Sequence, residues 1–121
     1  MAASFREILM GLVEGVEGGA AATLMGMDGI SVEQYMKAGG YDVETVGVEY
    51  GKVIDEIRKA SSLLDLGSVE EVMVATAASD LLLRMATQDY YIAFVLSHGS
   101  NMGKARYLMR KAAEAASVEL V

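Results

Sequence analysis

His98 is the single histidine of this chain, and it stands in the run SHGSNMG (97–103). Histidine is the side chain that most readily moves a proton near neutral pH. A general base still needs a positioned partner, and a metal site needs further ligands at set spacing. Neither is visible around His98. The run reads as a strand-to-helix loop, with one sharper alternative: the open amides from Ser100 to Gly103 hold an anion beside His98. The carboxylate pairs Asp55-Glu56 and Glu70-Glu71 are adjacent in sequence. Neighbours on a strand point to opposite faces, and on a helix they diverge by about 100°. Neither pair converges into an acid/base dyad, so both are expected on solvated faces.

Glycine-bearing motifs are the next candidates. The stretch LMGMDGISVEQY (24–35) contains Asp28-Gly29. A calcium loop needs oxygen ligands at fixed places before its glycine and a Glu six residues after it. Here those places are Leu24, Gly26, Asp28 and Tyr35, so only one ligand fits. The dipeptide is read as a two-residue hairpin turn, with both central residues at positive φ. Gly15-x-x-Gly18-Gly19 closes a helical pattern and precedes a strand, the reverse of a dinucleotide-binding glycine loop. No G-x-x-x-x-G-K-[ST] run occurs. Cysteine is absent, which removes disulfides and thiolate metal sites. No catalytic, cofactor-binding or metal-binding residue is assigned, and the chain is expected not to be an enzyme.

The composition narrows the partners. Net charge is −7, whereas phosphate backbones demand clustered Lys and Arg. Nucleic acid and anionic membrane surfaces are therefore not expected. The longest apolar run, YYIAFVL (90–96), falls far short of the ~20 residues of a membrane span. Glu7 and Glu14 interrupt the N-terminal apolar stretch, so no signal peptide is read there. A cytoplasmic location is expected. With 53% apolar residues over 121 positions, the chain has material for one globular domain, residues 1–121.

Hydrophobic periodicity supplies the elements. Phe5, Ile8, Leu9, Leu12, Val13 and Val16 fall on one helical face, with Ser4 and Glu7 as a capping box and Gly18-Gly19 as its end. Residues 20–26 and 31–38 read as strands. Asp42 caps a second helix whose stripe is Val46, Tyr50, Val53, Ile57, Ala60 and Leu64, with Val43 and Ile54 at its margin; Gly67 ends it. Strands follow at about 69–76, 80–87 and 90–97. The last is apolar on both faces, which places it centrally and covered on both sides. Asn101 or Ser100 caps a third helix with Met102, Ala105, Leu108, Met109, Ala112 and Ala116 inward. The order α-β-β-α-β-β-β-α predicts an α+β domain with helices on both faces of the sheet.

Two surfaces suggest protein contact. Gly47 and Gly51, with Arg58 and Ser62, lie beside the apolar stripe of the second helix. Interior glycine costs about 1 kcal/mol relative to alanine, and the pair makes a narrow strip that another helix can approach. The alternative is a helix that starts late, near Val48. Val48 and Leu63 are apolar residues on the otherwise charged face. The strand VEEVMVAT (69–76) would invite pairing with another chain if it lay at the sheet edge.

The opening helix ILMGLVEGVEG, the hairpin ATLMGMDGISVEQY, the long helix VEYGKVIDEIRKASSLL and the ending YYIAFVLSHGSNMGKARYLMRKA together resemble the Roadblock family of longin-like dynein light-chain domains, across nearly the whole chain. The resemblance implies a profilin-like, five-stranded antiparallel sheet, with the first and third helices on one face and the second on the other. It implies a homodimer that continues the sheet through the third strand, second helices side by side. Carried onto this sequence, the dimer contacts would be Gly47, Gly51, Ile54, Arg58, Val72 and Val74. Stand-alone members are partners of small Ras-like GTPases, and in gliding-motility systems the dimer activates GTP hydrolysis without an arginine finger. A homodimeric regulator of that type is the function expected here, with Val48, Lys52, Asp55, Glu56 and Lys59 as the partner surface. A dimeric scaffold with no effect on GTP turnover is the alternative. No cofactor is implied.

Overall fold

A computed structural model describes residues 3–37 and 42–120. The elements run α1 (Phe5–Gly15), β1 (Gly19–Gly26), β2 (Ser31–Met36), α2 (Val43–Leu63), β3 (Glu71–Ala75), β4 (Ser79–Met85), β5 (Tyr90–Ser97) and α3 (Met102–Glu119). The element order matches expectation. Ala38, the expected end of the second strand, lies outside the described residues.

The α1 capping box forms: Ser4 Oγ accepts from the Glu7 amide, and the Glu7 carboxylate accepts from the Ser4 amide, both at 3.1 Å. The bond from the Ser4 amide, and secondarily the Ser4 side chain, favours the charged form and holds the Glu7 carboxyl below its ordinary pKa. The helix stops earlier than the glycine pair suggests. Val16 is already extended, so Gly18 turns the chain and Gly19 opens β1.

The first hairpin also corrects expectation. Only Gly29 takes a positive φ there, +88°. Its amide donates to Gly26 O, and the Gly26 amide to Ile30 O, each at 2.9 Å. The link is thus a three-residue turn, Met27–Gly29, with glycine in the left-handed place. Asp28 Oδ1 accepts from the Ile30 amide at 3.1 Å and braces the turn.

The five strands form one antiparallel sheet in the order β2-β1-β5-β4-β3. β5 is central, as its two apolar faces require. On one face, α1 and α3 pack over Ala22, Leu24, Leu82, Ile92, Phe94 and Leu96. On the other, α2 packs over Ala21, Met25, Leu81, Leu83, Tyr91, Ala93 and Val95. The expected inward stripe of α3 is right, with Ala113 added. Asn101 is its cap, its Oδ1 accepting from the Lys104 amide at 3.0 Å.

The α2 stripe is rotated from the expected one by a little under one residue step of about 100°. Val43, Gly47 and Ile54 are buried, whereas Val53, Ala60 and Leu64 are exposed. The reason is steric. Gly47 lies over Met25 and Thr23, and Gly51 over the Tyr91 hydroxyl, so the glycines let α2 settle close to its own sheet.

Tyr91 fixes that contact by donating from its hydroxyl to Gly47 O. Burial pushes its phenol up to about 12. The unfolded phenol ionises near 10, so its contribution is complete below about pH 10 and falls as pH rises from about 10 to 12. Tyr91→Phe removes the hydroxyl donor to Gly47 O, at about 1 kcal/mol. In urea titrations at a series of pH values, the stability gap between wild type and Tyr91→Phe should be constant below pH 10 and shrink above it. A gap independent of pH up to 12 would refute the assignment.

Candidate functional site

The expected dimer residues divide. Gly47, Gly51 and Ile54 face the chain's own sheet, so the strip is filled by β1 and β5 and gives a second helix no approach. Arg58 is also held within the chain: its Nη2 donates to Gln88 O at 2.6 Å, with Met85 Sδ 3.7 Å away. Val72 and Val74 sit on β3, which is an edge strand, and pack on the α2 side. The apolar flank of α2 that sequence reasoning turned inward lies partly in solvent instead. Val46 and Tyr50 join the cluster that includes Val74. Beyond them Val53 is 41% and Leu64 64% exposed. Edge strand and apolar flank therefore adjoin.

The expected partner residues occupy the outer side of α2. Lys52 pairs with Glu49 at 3.0 Å, and Lys59 with Asp55 at 3.5 Å and Glu56 at 3.2 Å. Those carboxylates raise the Lys59 pKa, the Glu56 hydrogen bond most. Val48 is half-buried against the cluster that includes Met27. Val48, Lys52 and Asp55 line a cleft of about 310 Å³ with the β1–β2 turn, Gly26 to Gly29. Glu56 and Lys59 lie outside it. A wider cleft of about 690 Å³ lies between Arg58, Ser62 and Asp65 at the end of α2 and the β4–β5 turn.

Two charged arrangements escaped sequence reasoning. Glu71 is not on a solvated face: its side chain is 14% exposed. It takes Arg106 Nη2 at 2.7 Å and Arg84 Nη1 at 3.4 Å, tying α3 to the edge strand. His98 Nδ1 is 3.1 Å from Asp80 Oδ1. The partners are 18 residues apart and meet because Ser79 pairs with Ser97 across β4 and β5. A carboxylate at this loop works against the anion alternative, and the Ser100 amide already donates to Ser97 O at 3.2 Å. Among the described residues, no group of three or more His, Asp or Glu could hold a metal ion. No helix among them is long and apolar enough to cross a membrane.

No family model matches the chain, and no curated protein sequence does. Solved structures do. MglC from Myxococcus xanthus is 34% identical, with 97% of this chain and 99% of that one covered, at a TM-score of 0.69. A Roadblock/LC7 domain from Streptomyces avermitilis superposes more closely at lower identity: 18%, 98% of both chains, TM-score 0.87. The gliding protein MglB from Thermus thermophilus is 14% identical, covering 98% of this chain and 92% of that one, TM-score 0.80. The superpositions establish the shared fold, and the identity with MglC extends over the full length. The chain belongs to the Roadblock/LC7 family.

Proposed function

We propose that the chain acts as a homodimeric, non-catalytic regulator of a small Ras-like GTPase, activating GTP hydrolysis by binding the switch region. The observation that carries the dimer is the junction of an unpaired edge strand, β3, with the exposed apolar flank of α2. An open edge is a template for another strand, and the flank supplies apolar area beside it. A two-fold axis across β3 would extend the sheet and bring the Val53–Leu64 flanks together. Compared with the sequence reading, the helix contact moves from Gly47 and Gly51 to Val53, Ile57, Ala60 and Leu64; Val72 and Val74 stay at the seam.

The partner surface is the outer side of α2, with Val48, Lys52 and Asp55 beside the β1–β2 turn. Its charges are paired within the chain, so a GTPase would re-sort Lys52 and Lys59 among carboxylates rather than meet a bare charge. Regulation requires unequal affinity for the two nucleotide states. The test is a pull-down with tagged protein from source-cell lysate, with GTP analogue or GDP, followed by hydrolysis assays on the recovered GTPase. Recovery mainly with the GTP analogue, and faster hydrolysis, is the expected result. Nucleotide-independent recovery with unchanged turnover would make the chain a scaffold and overturn the regulatory reading.

A further inference from the structure

The sheet has a second edge, β2, at the far side from β3. Lys37 donates its amide to Ala20 O at 3.0 Å, and Glu33 O accepts from Thr23 Oγ1 at 3.3 Å. The backbone of residues 33, 35 and 37 is therefore turned toward β1. Backbone direction alternates along a strand, so the amides and carbonyls of Gln34 and Met36 point outward. The chain engages one of these groups itself: the Gln34 amide donates to Glu33 Oε1 at 2.9 Å. A carboxylate in that place protects an open edge.

The side chains alternate as well. Gln34 and Met36 stand opposite Thr23 and Ala21, on the α2 side of the sheet. Glu33, Tyr35 and Lys37 lie on the α1 side, Glu33 and Tyr35 opposite Leu24 and Ala22. The Tyr35 hydroxyl donates to Glu14 Oε1 on α1 at 2.7 Å. Lys37 Nζ is 3.9 Å from Glu14 Oε2. No cation pairs with the Glu33 carboxylate among the described residues.

The run EQYMK (33–37) thus carries opposite charges four residues apart on one face of an open edge. Such a strand complements its own reverse. Antiparallel pairing of two copies must set outward residues against outward residues, which leaves two-fold axes at Gln34, Tyr35 or Met36. An axis at Gln34 sets Glu33 against the partner's Tyr35. An axis at Met36 sets Lys37 against the partner's Tyr35. The axis at Tyr35 alone sets Glu33 against the partner's Lys37, and does so twice. Opposite charges and aromatic pairs directly across strands stabilise a sheet, and like charges there destabilise it.

We propose that β2 is a self-association edge, joining two copies of the chain antiparallel about Tyr35. Charge complementarity selects a second copy as the occupant, because the pattern over 33–37 is its own complement. On joining, the Gln34 amide passes from Glu33 to the partner's Met36 O, and the freed carboxylate meets the partner's Lys37. The contact is isologous and does not depend on the dimer through β3. Where both contacts form, dimers are linked through one continuous sheet.

The test exploits the absence of cysteine from the chain. Tyr35 would face its own copy in a non-hydrogen-bonded pair, Cα atoms about 4.5 Å apart, within the span of a disulfide. Gln34 would lie diagonally about 7–8 Å from its copy. With copper phenanthroline as oxidant, full-length Tyr35→Cys should form a disulfide-linked pair of chains, and Gln34→Cys should link at least about tenfold more slowly. In the Tyr35→Cys chain, Glu33→Lys or Lys37→Glu should each slow linking at least about tenfold by setting like charges together. Both together should restore it. The double exchange does not restore the Lys37–Glu14 contact, so a role confined to one chain would show no rescue. Where Tyr35→Cys fails to fold in a circular-dichroism melt, sedimentation of the cysteine-free charge variants at rising concentration reads the same loss and rescue. Equal linking at 34 and 35, single reversals without effect, or a double reversal without rescue overturns the proposal. A folded Tyr35→Cys chain that forms no link leaves the edge to an extended segment of another protein and overturns self-association. A link at Tyr35→Cys in a chain that is otherwise monomeric at low concentration overturns the β3 dimer alone.

Discussion

Replacing Gly47 and Gly51 together by leucine should unfold the chain rather than only separate two protomers. A Cβ at position 47 would stand 2.9 Å from Met25 Cε and Sδ and 3.0 Å from Thr23 Cγ2. At position 51 it would stand 2.7 Å from the Tyr91 hydroxyl, which is itself bonded to Gly47 O. Met25, Thr23 and Tyr91 are fully buried, so they have nowhere to withdraw. Overpacking of this kind costs about 3 kcal/mol per site. Regained helix propensity offsets about 1 kcal/mol per site. The net loss of about 4 kcal/mol is comparable with the whole stability of a small domain, about 5–15 kcal/mol. The urea midpoint should collapse, and the surviving folded fraction should keep its oligomeric state. An unchanged midpoint with a dissociated dimer would return the glycines to an interface between helices.

That prediction marks where the sequence was legible and where it was not. Periodicity in α1 and α3 located their inward faces, because alanine, leucine, valine and methionine mark burial by hydropathy. In α2 the buried face contains two glycines, which carry almost no hydropathy signal. The apolar count therefore favoured Val46, Val53, Ala60 and Leu64, and the helix was turned too far. A residue type whose contribution is the absence of a side chain is misread by any hydropathy pattern. YYIAFVLS was legible for the opposite reason, since a strand apolar on both faces has only the middle of a covered sheet to occupy. The Glu71–Arg84–Arg106 and Asp80–His98 pairings depend on strand register and on where α3 crosses the sheet. Local spacing carries neither.

Phe94→Ala should produce the second large loss. Phe94 lies on the central strand between Ala22 and Leu82, fully buried beneath α1 and α3. Removing a buried phenyl costs about 3–5 kcal/mol, since the surrounding strands and helices collapse only partly into the gap. At about 4 °C per kcal/mol for a domain of this size, Tm should fall by about 12–20 °C in a circular-dichroism melt. Val118→Ala, on the exposed side of α3, is the control and should move stability by less than about 0.5 kcal/mol. A Phe94→Ala shift no larger than the control's would contradict the packing described here.

The central place of β5 also orders events during synthesis. β1 and β4 are not neighbours; each pairs with β5, the last strand to be made. The pairs β1–β2 and β3–β4 therefore both precede β5 in the chain, each with an inner edge that β5 alone fills. Such long-range closure makes for slow folding and leaves those edges open to a neighbouring chain's fifth strand. The arrangement has a compensating benefit. YYIAFVLS, an uncharged run rich in aromatic and branched residues of the kind that invites aggregation, emerges only when the two edges that receive it have already been synthesised.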